Sequence, residues 1–325
     1  MKFCKNAKYV TNVRHAAVAT DNSPSNTEMP TLLSGTHLQI LSVLSTELRR
    51  LSPTPGDRLA ILDVGCGDGL LIDYLGKSLP QLFEGVIFDL YGFDVGDHGV
   101  QPDGYFSKTR DHLNKAFPDV DWSERLALIS EYDPWPYEDG FFTATVSNQV
   151  LEHVRDHDTF FGETSRVTAN EGISVHVFPS KHTLLEQHTL VPFAHRFRDA
   201  HNMRGMIRWW ASLGRGRYPG HKREHPSVTP ESYADRHADY LIRYTNFKKM
   251  SYFHEIAKKH QFHSSFRHTG LYLTEKIRRI RGKPSRYFAP ERPGFGQRFM
   301  SWIGPYLTNA TLVLRKSRTY DTPPR

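Results

Sequence analysis

The stretch Ile61-Leu62-Asp63-Val64-Gly65-Cys66-Gly67-Asp68-Gly69-Leu70 constrains this chain most: an apolar run enters a cluster of three glycines at alternate positions. A strand that turns sharply into a helix visits φ > 0, and a ligand pressed against the turn leaves no room for a Cβ, so glycine meets both demands. A dinucleotide fingerprint wants glycines at relative positions one, three and six. Here they stand at 65, 67 and 69, with Leu70 in the sixth place. The carboxylates of Asp63 and Asp68 would repel a pyrophosphate, whereas they suit a ligand carrying an ammonium and a sulfonium.

Strand and helix signals alternate on either side of this turn. Strands are expected at 60–65, 86–94, 126–130, 141–147 and 173–178, with helices at 70–79, near 107–117 and near 158–168. Such alternation predicts a parallel sheet wrapped by helices, an α/β doubly wound fold. A helix over 37–51 (Leu38, Leu41, Leu44, Leu48, Leu51) leads into it, after a polar 1–35 segment read as a flexible tail. Residues 181–249, rich in His, Arg and aromatics, break the pattern and read as an inserted helical cap. Within it Thr229-Pro230-Glu231 marks a helix start, and Trp209, Trp210, Phe197, Met206 and Ile207 read as a packing face and lid. Residues 250–317 complete the sheet through a helix at 250–260, a strand from Phe262, a basic loop region and a last strand at 310–314, and 318–325 forms a second tail.

A ligand held at the carboxyl ends of such strands should meet an acid at the end of the second strand that accepts both ribose hydroxyls. Asp94 fits, with Asp89 as the fallback if the strand ends early. The third strand runs into Ser130-Glu131-Tyr132, and Trp135-Pro136-Tyr137-Glu138-Asp139-Gly140 precedes Val146-Ser147-Asn148-Gln149-Val150-Leu151-Glu152-His153-Val154. With the glycine loop, this order resembles the class I S-adenosylmethionine-dependent methyltransferases, type 11 (ubiquinone/menaquinone methyltransferase-like), over roughly residues 36–180. The resemblance implies a Rossmann-like, mostly parallel seven-stranded sheet whose final strand runs antiparallel, with S-adenosylmethionine as cofactor. It implies Asp63, Gly65, Cys66, Gly67 and Gly69 around the methionine part, Asp94 on the ribose, Glu131 and Tyr132 at the adenine, and Asn148 and Gln149 on the methionine side. The chain departs from the family pattern at Thr143 and at Asn170-Glu171-Gly172, a strand and a turn. Asp133-Pro134-Trp135-Pro136-Tyr137 has the flavour of a base-amine methylation motif, but its prolines are not adjacent and it precedes the fourth strand.

Methyl transfer from a sulfonium is an in-line displacement, which a dry, oriented pocket accelerates by positioning. A base is needed only where the acceptor must lose a proton. Candidates follow the fifth strand: His182, Glu186 and His188, the first two sharing a face at i, i+4 if the segment is helical. His153 and His157, or the same three residues, could instead meet a metal, but no carboxylate-rich triad at metal spacing appears and no metal is expected.

Lys and Arg outnumber Asp and Glu by 42 to 35, and the excess gathers at 215–223 and 276–283. These stretches could face phosphates, anionic lipid or an acidic substrate, or form a solvated surface. The expected acceptor, chosen by the cap, is a small molecule, sugar or lipid-linked intermediate methylated on oxygen, whereas the basic second half favours a nucleic-acid or protein substrate. The alternatives are a nucleic-acid or protein methyltransferase and a scaffold that binds the cofactor without transfer. Two cysteines, Cys4 and Cys66, make no disulfide framework, and no apolar run approaches a membrane span, so a cytoplasmic protein is expected.

Overall fold

A computed structural model of the protein describes residues 29–30, 34–96, 104–290 and 294–317. Both expected tails lie almost wholly outside these residues. The chain opens with α1 (Gly35–Arg50) and continues β1 (Arg58–Val64), α2 (Leu70–Leu82), β2 (Ile87–Val95), α3 (Tyr105–Ala116), α4 (Trp122–Arg125) and β3 (Leu126–Ile129). The second half of the sheet follows as β4 (Phe142–Asn148), α5 (His157–Val167) and β5 (Thr168–Phe178). After an excursion through α6 (Ala200–Ser212), α7 (Tyr218–Glu224) and α8 (Pro230–Tyr244), the chain returns through α9 (Met250–Lys259), β6 (Phe262–Ser265), α10 (Thr269–Ile280), α11 (Phe295–Leu307) and β7 (Ala310–Lys316).

The seven strands form one sheet in the order β3-β2-β1-β4-β5-β7-β6. The first five are parallel, and β7 runs antiparallel between β5 and β6. This is the mostly parallel, Rossmann-like sheet that the alternation and the resemblance imply. The chain winds outward from β1 to β3, then crosses back to β4, so the switch point lies between β1 and β4, and a crevice opens there at the carboxyl ends. Central parallel strands are covered on both faces and read as continuous apolar runs, which is why β1 is buried from Leu59 to Val64. Inside the sheet, the two ring nitrogens of His176 pair with the Ser147 and Ser174 hydroxyls, each at 2.7 Å, one nitrogen donating and the other accepting, and burial pushes its pKa down to about 3.

Two expectations need correction. The stretch between β6 and β7, read as a basic loop region, folds into α10 and α11. Their inward faces are small and few (Gly270, Leu271 and Glu275 on α10, Gly304 and Pro305 on α11), so no core stripe marks them in the sequence. In the excursion, the face of α6 that packs is Met203, Ile207 and Ala211, against Tyr233, Ala234, Ala238 and Leu241 of α8, while Trp209 is exposed. Thr229 caps α8 in a reciprocal box with Ser232, and Pro230 takes its first turn. No described helix is long and apolar enough to cross a membrane.

Candidate functional site

The crevice at the switch point is a cleft of about 500 Å³. Its floor is the β1–α2 turn, where Gly65, Gly67 and Gly69 all take positive φ (71°, 51° and 77°). A Cβ on Gly65 would sit 2.6 Å from a methyl of Val150, so this glycine admits the β4 loop as well as the turn. Gly67 and Cys66 line the cleft, whereas Gly69 does not. It starts α2, where an added Cβ would meet Leu113 and Thr109.

Asp63 ends β1 almost fully buried, and its Oδ1 has no hydrogen-bond partner among the described residues. Burial pushes its carboxyl well above the ordinary range, and the charges of Asp94 and Asp68 push the same way. Asp94, near the end of β2, accepts the Gly67 amide at 2.9 Å and the Val95 amide at 2.8 Å, tying the turn to the neighbouring strand. Asp89 is not an alternative: it sits near the start of β2 and is held by Arg58 and Arg125 at 2.8–3.0 Å.

Across the cleft, Glu131 accepts a hydrogen bond from Arg155 at 2.7 Å, and Tyr132 stands exposed on the rim. Trp135 forms the inner wall; its amide donates to Glu163 at 2.7 Å, and its carbonyl accepts from Arg166, which also grips Tyr137 and Asp139. Asn148 and Gln149 complete the lining where β4 ends. The Asn148 Oδ1 is buried without a partner among the described residues, and Gln149 adopts positive φ (59°). His37, from the first turn of α1, closes one side of the cleft. Sequence reasoning missed it because it sits far upstream of every motif and only the fold brings it in.

Six acids line the cleft (Asp63, Asp68, Asp94, Glu131, Asp133 and Asp156) against one guanidinium, Arg155. With unpartnered acceptors on Asp63 and Asn148, this wall fits a ligand bearing an ammonium and a sulfonium and would repel a polyphosphate. S-adenosylmethionine has that charge, and the aromatic wall of Phe93, Trp135 and Phe160 offers apolar surface for a base.

The acceptor-side candidates do not lie on a helix. Residues 181–193 form a tight loop, pinched by a bridge between Leu185 and Pro192 and carrying positive φ at Leu190 and Phe193. The i, i+4 face shared by His182 and Glu186 therefore does not exist, and His182 packs on Tyr306. Glu186 is instead the buried anchor of the loop. It accepts from the backbone amides of His188 and Thr189 and from the Thr189 hydroxyl, each at 2.7 Å, and from His188 Nδ1 at 2.6 Å. Burial alone would push its carboxyl up, but the His188 bonds and charge outweigh it and hold it below its ordinary value. His188 in turn packs 5.4 Å, centroid to centroid, from His153, which lines the cleft, and 5.1 Å from Tyr240 of α8. His153 Nδ1 donates to the Tyr244 carbonyl at 2.6 Å. Among the described residues, one group has donors close enough to share an ion: His221, Glu224 and His225, on α7 and its C-cap.

Glu152, beside His153, is fully buried with neither oxygen hydrogen-bonded among the described residues. Burial, reinforced by Glu186, pushes its pKa up to about 8. A carboxyl raised in this way contributes most below its unfolded value, near 4.5, and the contribution is lost as pH rises towards 8. Between pH 6 and 8 the loss is about 2 kcal/mol. Glu152→Gln keeps the volume without the proton, so thermal melts should show the variant gaining on wild type across that interval. Parallel melting curves at both pH values would contradict this.

The family profile described as Methyltransferase domain matches residues 36–238, more than half of the chain. No curated protein sequence matches. Among solved structures, the chain is similar to phosphoethanolamine N-methyltransferase 2 of Haemonchus contortus in complex with S-adenosyl-L-methionine (14% identity, 85% of this chain and 52% of that one, TM-score 0.42). It is also similar to the YcgJ protein of Bacillus subtilis (11%, 85% and 99%, TM-score 0.41) and to the [4+2]-cyclase SpnF (14%, 87% and 80%, TM-score 0.42). The chain thus spans about half the length of the nematode enzyme. With the glycine turn, the acid-lined cleft and the profile in agreement, the chain belongs to the methyltransferase-domain family and is an S-adenosylmethionine-dependent methyltransferase.

Proposed function

We propose that this methyltransferase, similar in its motifs to the type 11 enzymes, methylates an oxygen of a small-molecule, sugar or lipid-linked acceptor, with His188 as general base and Glu186 positioning it. The observation that carries the reading is the His188–Glu186 pair, one ring removed from His153 on the cleft wall. Methyl transfer to the lone pair of a neutral amine or a thioether needs no base, whereas a hydroxyl must shed its proton as the new bond forms. A carboxylate bonded to Nδ1 fixes the tautomer with that hydrogen in place, leaving the Nε2 lone pair to take the acceptor's proton.

When bound, the cofactor supplies an electrophilic methyl on a sulfonium. The chain does the rest. Asp63, Gly65 and Gly67 would hold the methionine end, Asp94 would take the ribose, and Glu131, Tyr132 and Trp135 would flank the base. The helices of 181–249, joined to the core beside His153, exclude water from the acceptor side and select what enters.

Purified protein with methyl-labelled cofactor and fractionated cell extract should place label in a lipid or small-molecule fraction. His188→Ala should lower that transfer by about 100-fold or more, with cofactor affinity unchanged and the acid limb of the pH–rate profile removed. Glu186→Gln should retain the limb while lowering the rate. Label confined to nucleic acid or protein, or transfer indifferent to His188, would count against the reading.

A further inference from the structure

On α11, Phe295, Phe299, Trp302 and Tyr306 follow one another at intervals of four, three and four residues, which sets them within about 60° of arc on a helix. All four face solvent: they are 90%, 51%, 72% and 43% exposed. A helix normally turns such a stripe inward. Here the inner face is used up by close backbone packing, since a Cβ on Gly270 of α10 would lie 2.4 Å from backbone atoms of Met300 and Ser301. The far end is also fixed, because the Tyr306 carbonyl accepts from the Leu184 amide at 2.8 Å. The aromatic row is therefore held outward by the packing of the other side.

The sequence leading into the row is basic. From Lys276 to Arg298 the sequence has eight Lys or Arg against one acid, Glu291. Lys276, Arg279, Arg281, Lys283 and Arg298 are exposed, and none is ion-paired among the described residues. Ile280, 79% exposed, adds apolar surface among them.

We propose that the row on α11, with the cations Lys276, Arg279, Arg281, Lys283 and Arg298, docks on an anionic lipid bilayer. Phe with Trp and Tyr is the composition that settles at the boundary between headgroups and acyl chains, where a ring is buried while its polar atom stays wet. A helix of 13 residues spans about 20 Å, too short to cross a bilayer and suited to lying in its plane. Neighbouring cations match the negative surface potential of anionic lipid. A protein partner would use the aromatic row without needing the surplus charge, and a nucleic acid would use the charge without the row. The docking does not depend on the acceptor or the reaction proposed above.

Cosedimentation of the full chain with vesicles of phosphatidylcholine, alone and with a third phosphatidylglycerol, tests this. Binding to the anionic vesicles should be at least about tenfold stronger and should weaken at high salt. F299S/W302S and R279E/R281E should each lower it by about tenfold or more, with unchanged melting temperature because these side chains pack on nothing that the fold needs. Equal or absent binding to both vesicles, or binding unaffected by F299S/W302S, would overturn the proposal. So would a dimer in solution that F299S/W302S dissociates, which would make the row a contact between copies.

Discussion

Replacing Asp63 with asparagine should lower affinity for S-adenosylmethionine by about two to three powers of ten while leaving the protein folded, and at neutral pH more stable than before. Both effects have one cause. Asp63 is buried beside Asp94 and Asp68 with an acceptor oxygen unused, so the folded chain holds a carboxyl whose ionised form is disfavoured. A group raised in this way stabilises the fold below the unfolded value near 3.8 and loses that contribution as pH rises. Asparagine keeps the shape and removes the charge problem, but it also removes the anion that an ammonium would meet. Because a proton and the cationic ligand compete for the same carboxylate, affinity should fall as pH falls, and the slope should flatten in Asp63→Asn. Titration calorimetry at two pH values with thermal melts separates the effects. Unaltered affinity in a folded variant would remove Asp63 from the ligand site.

The sheet and one wall of the cleft were legible because their signals are local. Parallel central strands need apolar runs, and the β1–α2 turn needs residues that tolerate positive φ, so β1 and Gly65 could be read directly. Asp94 followed from the arithmetic of strand ends. What could not be read depends on contacts across the chain. Glu186 lies in a sequence compatible with a helix, yet the amides of His188 and Thr189 bond to its side chain and fold the segment into a loop instead. Nor does the apolar spacing of α1 say what covers its polar face. In the fold, Gln39 donates to the His268 carbonyl and to Thr311, and Ser42 donates to the Arg286 carbonyl, so residues from the far end of the chain cover that face.

The same covering makes Glu47 the side chain whose loss should cost the fold most. It lies on the buried side of α1, its side chain wholly inaccessible, and takes a forked pair of bonds from Arg315 of β7 at 2.7 and 2.9 Å and one from Arg267 at 2.9 Å. Burial alone would push its carboxyl up, but nearby His268, the bonds from Arg315 and the arginine charges overcome this and hold it at about 2. These contacts join the first helix to the last strand across 268 residues and to the entry of α10 across 220, closing the antiparallel end of the sheet. Glu47→Ala leaves two guanidinium groups facing each other over a cavity. Because both reach solvent in part, the cost belongs at the lower end of the range for broken buried pairs, about 3 kcal/mol, which lowers the melting temperature of a chain this long by roughly 4 to 5 °C. The pH dependence distinguishes an ionic anchor from a merely packed one. A carboxylate depressed in this way contributes fully above the unfolded value near 4.5 and is lost as pH falls towards 2, so wild type should lose its advantage over Glu47→Gln across that window. If the difference between the two proteins stays constant on acidification, packing rather than charge holds α1 to the sheet. If Glu47→Ala/Arg315→Ala is more stable than Glu47→Ala alone, the penalty lies in the stranded guanidinium and the pair acts chiefly as a register device for β7.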